Sequence, residues 1–163
     1  MAGIFLGSSV VIWLVESPPE RQQEAKTRLG EVAEGEPHYV VSDLVRLECR
    51  AKPPATGDER LLRDFDLFLA SPPVACVALS ASVCDRAATI RATYGYRTAD
   101  ALHLAAAIEA ECEAFVTGDA RLARFSGTPV RLLRMAWPVA APLPRRGRYR
   151  LNPTAGSCTR AGR

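Results

Sequence analysis

Three observations make this chain an α/β domain with a parallel sheet held between layers of helices. Short β-type runs alternate with longer helical ones along most of its length. The strands are separated by helix-length segments rather than tight hairpins, which demands parallel pairing and right-handed crossovers. The length, 163 residues, gives one domain a substantial core and is too short for two ordinary ones.

The elements follow in order. Residues 3–6 form a brief apolar strand, and a helix over 10–16 succeeds it. Pro18 and Pro19 end that helix and open the next, a polar surface helix over 20–33 with Ala25, Leu29 and Val32 at helical spacing. Residues 38–41 read as a strand. Ser42 is a natural N-cap for a helix over 43–51, with Leu44 and Leu47 turned inward, and Pro53 and Pro54 stop it. Residues 57–70 carry Leu61, Leu62, Phe65, Leu67, Phe68 and Leu69, the apolar face of an amphipathic helix. A strand over 74–79 leads to Ser80, which caps a helix reaching Tyr94, where Gly95 breaks it. Thr98 caps a further helix over 99–112, with Ala101, Leu104, Ala105 and Ile108 as its buried stripe. A strand over 114–117, a short helix over 120–125 and a strand over 130–133 complete the domain. From Ala136 onward proline, glycine and arginine leave no period of either kind, so residues 136–163 read as a disordered basic C-terminal tail behind a domain over 1–135.

Hydrophobic residues at 48% and charged residues at 24% are the balance of a globular protein. No apolar run approaches the roughly 20 residues that span a bilayer, and the first apolar stretch has neither the basic flank nor the cleavage site of an export signal. The expectation is a cytoplasmic protein with no membrane partner. Five cysteines, at 49, 76, 84, 112 and 158, lack the close spacing of a zinc or redox motif, and the first four, in apolar-patterned segments, suit free, buried thiols. The net charge of +3 is uneven: six arginines and no acid lie between Arg145 and the end, leaving the first 144 residues at about −3. Such a body does not grip nucleic acid by charge alone.

In parallel sheets, sites form beyond the carboxyl ends of the strands. There the chain places Gly7-Ser8-Ser9, the segment from Ser42 to Glu48, Thr98-Ala99-Asp100, and Thr117-Gly118-Asp119. Glu48, Asp100 and Asp119 thus come from separate segments and can converge on one sheet edge. Carboxylates with no matching histidines suit a hard cation such as Mg²⁺, with Mn²⁺ as a substitute. Without an ion, three neighbouring carboxylates would repel. Each acid also has an ordinary use: Asp100 complements a helix dipole, Asp119 can cap the helix that follows it, and Glu48 can sit on a helix surface. His103, between Leu102 and Leu104, reads as a helix-surface or satisfied histidine with no acid and nucleophile arranged around it. Ser8 and Ser9 lack the glycine and base of a nucleophile elbow.

The blocks IFLGSSVVIWLVE, SDLVRLECRAKP and YGYRTADALHLAAAIEAECEAFVTGDARLARF resemble, in order, those of PIN domains in the VapC toxin branch, over roughly residues 4–133. The resemblance implies a three-layer PIN-like fold and a Mg²⁺-dependent endoribonuclease of a toxin–antitoxin module. It further implies a homodimer held inactive by a cognate antitoxin. It assigns Glu48, Asp100 and Asp119 to the family's second, third and fourth acids, and Ser9 and Thr117 to hydroxyls that orient water or phosphate. The first acid falls on Gly7. Asp43, the nearest spare acid, lies about 140° around the helix from Glu48 and cannot serve with it. The resemblance therefore implies a nuclease whose activity is impaired at Gly7; the alternative is a catalytically inactive PIN domain that still binds antitoxin or RNA. A non-hydrolytic α/β binding module would leave the three acids without a purpose.

Overall fold

The computed structural model describes residues 3–33 and 38–135; the tail expected over 136–163 lies outside the described residues. Five strands form one sheet in the order β3-β2-β1-β4-β5, every pair parallel. They are β1 (Ile4–Leu6), β2 (Tyr39–Ser42), β3 (Val74–Val77), β4 (Ala114–Thr117) and β5 (Val130–Leu132). The chain builds outward from β1 to one side and then returns to place β4 on the other, so the strand order switches between β1 and β4. Crevices of this kind, outside the carboxyl ends of the strands, are where α/β sheets hold ligands.

Helices flank the sheet. They are α1 (Ser8–Val15), α2 (Pro19–Val32), α3 (Asp43–Arg50), α4 (Lys52–Thr56), α5 (Glu59–Leu69), α6 (Ala81–Tyr94) and α7 (Thr98–Glu109), with a 3₁₀ turn over Ala120–Arg124. Phe5 of β1 and Phe115 of β4 are register partners. Their rings stack at 5.4 Å, and the His103 ring of α7 lies 6.3 Å from Phe5. This aromatic layer and the small buried stripe Ala101, Leu104 and Ala105 let α7 pack close to the sheet centre.

Several local features follow from the caps. Ser42 Oγ accepts the Val45 N–H at 3.5 Å, and Ser80 Oγ accepts the Val83 N–H at 3.3 Å. Gly95 takes the left-handed conformation, φ 67°, that ends α6. Thr98 does not cap α7; it is the first helical residue, and Arg97 holds the N-cap position without a side-chain bond. Nor do Pro53 and Pro54 simply stop a helix. They enter the first turn of α4, where a missing N–H costs nothing, and Gly57 at φ 72° closes that short helix.

Leu47 corrects a further expectation: it is 64% exposed. The inward face of α3 is set by Val45 and Cys49, and Leu47 lies about 200° around the helix from Val45. Glu48, one residue on, falls beside the buried face instead. The cysteines divide as well. Cys49 and Cys112 are buried, and burial, with nearby Glu48 and Glu16 for the first and Glu113 for the second, pushes their thiols up to about 12 and about 11. Cys76 and Cys84 are free and exposed, and so depart from the burial expected of all four.

Candidate metal and phosphate site at the strand switch

Gly7 ends β1. Its N–H continues the ladder by donating to the Val116 carbonyl at 2.9 Å. Ser8 and Ser9 open α1 at once, two residues earlier than the apolar pattern indicates. The Ser9 hydroxyl reaches across the switch and accepts the Gly118 N–H at 3.1 Å. Buried Thr117, the last residue of β4, accepts the Asp119 N–H on Oγ1 at 3.1 Å. Ser9 thus ties the β1 and β4 turns together while Thr117 braces the β4 turn from within, and both O–H protons remain to be donated elsewhere. A Cβ at Gly118 would lie 2.2 Å from Cη2 of Trp13, so any larger residue there would have to displace the ring that covers the turn.

The acids fall into two groups around this turn. Asp119 accepts the Arg121 N–H at 2.9 Å, capping the 3₁₀ turn, and its carboxylate takes the Arg121 guanidinium in a bidentate pair. Asp100, in the first turn of α7, lies 3.8 Å from the same guanidinium. Arg121 thereby brings Asp100 and Asp119 together across one cation. Its hydrogen bonds, outweighing burial, hold the Asp119 carboxyl below its usual value.

Glu48 belongs to the second group. Its Oε2 accepts hydrogen bonds from the Ser8 hydroxyl and from His103 Nε2, the latter at 3.0 Å. Burial pushes its carboxyl up, but the bonds from His103 and Ser8 prevail and leave it below the ordinary 4.5. His103, expected on the helix surface or satisfied and with no acid and nucleophile arranged around it, is instead 94% buried, with Glu48 and Ser8 at its Nε2. The clue in the sequence was spacing, since His103 stands three residues from Asp100 and so shares its helix face. Arg121, two residues past Asp119, carried no comparable signal. Asp43 faces away, as its angle to Glu48 requires, and accepts the Cys76 thiol at 3.6 Å.

The depressed Glu48 carboxyl carries a sign. Because its folded value lies below the unfolded one, ionised Glu48 stabilises the fold above the ordinary 4.5, and that stabilisation fades as pH falls through the lower folded value. In metal-free buffer, the melting-temperature advantage of the native chain over Glu48→Gln is expected to shrink as pH is lowered below about 4.5. A constant difference down to the acid limb would show that Glu48 is not held in this way.

No three histidine, cysteine, aspartate or glutamate side chains among the described residues are grouped closely enough to hold one ion. The donor set nevertheless fits a hard cation bound loosely. Its ligating atoms are carboxylate oxygens, and two of the carboxylates already share a positive group, the guanidinium of Arg121. Mg²⁺ keeps several waters and needs only one or two carboxylates.

A PIN domain family model matches residues 4–127, and the chain belongs to the PIN-domain family. Solved structures agree on the fold. VapBC2 from Rickettsia felis, bound to a DNA fragment from its promoter, superposes with a TM-score of 0.63 at 15% identity, covering 79% of this chain and 97% of that one. VapC20 of Mycobacterium tuberculosis, described as a Sarcin-Ricin loop cleaving toxin, gives 0.60 at 20% identity over 77% and 98%. FitAcB from Neisseria gonorrhoeae gives 0.60 at 18% identity over 78% and 95%. The comparison with curated proteins gave no match. Among the described residues, no helix is long and apolar enough to cross a membrane.

Proposed function

We propose that this chain is the toxin-type subunit of a toxin–antitoxin pair: a cytoplasmic, metal-dependent endoribonuclease whose cleavage is slow because Gly7 stands where an acid is needed. The observation that carries the reading is that the Arg121 guanidinium pairs with both Asp100 and Asp119, the latter on the turn that follows Thr117, a neighbour of Gly7 across the strand switch. Asp100 and Asp119 would hold Mg²⁺, or Mn²⁺ in its place, and Glu48 would act on the ion through the waters it keeps. The ion would supply a positive charge that acidifies water and steadies charge on a phosphate. Ser9 and Thr117, fixed by their backbone bonds, would direct their hydroxyl protons at water or phosphate oxygen.

Partners are proposed on separate grounds. The similar solved structures include toxin–antitoxin complexes, one of them from Klebsiella pneumoniae, which supports a cognate antitoxin. Leu47 on α3 and Leu67 on α5 are the large apolar side chains left exposed among the described residues, and they support burial against a second copy or the antitoxin. The other reading, a catalytically inactive PIN domain that binds antitoxin or RNA, is favoured by Gly7 itself.

RNA incubated with the purified chain is expected to be cut slowly with Mg²⁺ or Mn²⁺ and not at all with a chelator. Asp100→Asn is expected to weaken Mn²⁺ binding, read by electron paramagnetic resonance, by more than the roughly tenfold that losing a partner of a ligand costs. Cleavage that survives chelation would overturn the metal reading. Absence of cleavage by both the native chain and Gly7→Asp would leave the inactive, binding form.

A further inference from the structure

We propose that His103 is a positioning residue, which with Ser8 fixes the Glu48 carboxylate so that one of its oxygens is committed to the protein and the other is presented to the site. This rests on the metal-site reading above and adds to it the residue that aims Glu48.

The argument starts from the two ring nitrogens. Nε2 lies 3.0 Å from Glu48 Oε2 and 3.4 Å from the Ser8 hydroxyl oxygen. A bare Nε2 lone pair would face a carboxylate oxygen there, so the proton belongs on Nε2 and is donated to Glu48. Nδ1 is buried and has no hydrogen-bond partner. A proton on Nδ1 would leave a buried N–H unpaired and at the same time set the Nε2 lone pair against the carboxylate, which again favours the proton on Nε2. The ring cannot readily turn to exchange these roles, since it is 94% buried and packs at 6.3 Å against Phe5.

The consequence falls on Glu48. Both of its bonds, from Ser8 and from His103, end on Oε2. Among the described residues Oε1 accepts no hydrogen bond, and it is the oxygen available to an ion or its water. A glutamate on a helix surface otherwise samples several rotamers, and two donors on one oxygen select among them. His103 and Asp100 stand one turn apart on α7, so one helix carries a proposed ligand and the group that orients Glu48. Partners of this kind, bonded to a metal ligand rather than to the metal, alter affinity when removed.

The test has two arms. In nitrogen-15 spectra of the native, metal-free chain, the His103 ring is expected to carry its proton on Nε2, and Glu48→Ala is expected to shift that resonance. A ring protonated on Nδ1 alone, or a signal indifferent to Glu48→Ala, would overturn the proposal whether or not any metal binds. In the second arm, His103→Leu is expected to lower Mn²⁺ affinity by about tenfold. His103→Gln, which can return an N–H near the Nε2 position, should recover most of it. In a Glu48→Gln background, His103→Leu should add nothing further. A folded His103→Leu chain with native Mn²⁺ affinity would overturn the proposal, since a purely structural histidine changes the melting temperature and not the ion. Failure of the native chain to bind Mn²⁺ would sink the metal reading, while the ring spectrum would still decide whether His103 holds Glu48.

Discussion

Gly7→Asp is expected to raise metal-dependent RNA cleavage by on the order of 100-fold or more, the scale set by a misplacement of about 1 Å at a reacting centre. The position will take the side chain. Gly7 has φ −70° and ψ 156°, an extended conformation open to any residue. A Cβ there would meet the Val116 carbonyl oxygen at 3.3 Å, Phe115 Cζ at 3.5 Å and Thr117 Cβ at 3.6 Å. The first contact is tight and asks for a shift of a few tenths of an ångström, so Gly7→Ala is the control for steric cost. The new carboxylate would join Asp100 and Asp119 and shift the local balance of charge from the guanidinium of Arg121 toward a divalent ion. If weak metal occupancy is the fault of the native chain, excess Mg²⁺ or Mn²⁺ will partly close the gap. If the ion is held in the wrong place, saturating metal will leave the gap open. Equal cleavage by both forms at low metal would show that position 7 is not a ligand position.

The second large effect lies under the same turn. Phe115 is 1% exposed, stacks on Phe5 and stands next to Gly7. Phe115→Ala would remove a ring from the layer between the two central strands and α7, and it is expected to cost about 3–5 kcal/mol. That is a large share of the roughly 5–15 kcal/mol that holds such a domain together. Urea unfolding should show a lower midpoint with an unchanged slope. A loss below about 1.5 kcal/mol would mean that the layer collapses onto the gap or that Phe5 alone carries it.

The architecture was legible because its signals are local. The alternation of periods identified every strand and the longer helices, while Ser42, Ser80 and Gly95 act at the positions their chemistry favours. The departures arise where tertiary contacts outweigh local signals. Leu47 looks inward by composition, yet Val45 and Cys49 settle which face of α3 meets the core. Pro53 and Pro54 look like a stop and instead begin α4.

At the site, the segments that meet could be read from strand ends, since Ser9 and Gly118 are bonded across the switch. Which side chain pairs with which could not. Arg121 on Asp100 and Asp119, and His103 on Glu48, depend on how far apart α3, α7 and the turn after β4 settle in space; the three-residue step from Asp100 to His103 puts both on one helix face but does not carry that distance.

The ring of Trp13 lies on Gly118, one residue before Asp119. An indole against the backbone of the turn that carries Asp119 is also a dye. Any ion or phosphate that draws Asp119 or displaces Arg121 must alter the polarity around that ring. The chain has one other tryptophan, Trp137, so replacing it with phenylalanine would make the tryptophan emission of the protein, excited beyond the absorption of its tyrosines, a single-residue signal from the edge of the site. Binding could then be followed in solution without label or substrate, and a colourless, spectroscopically silent ion such as Mg²⁺ would become visible through its neighbour.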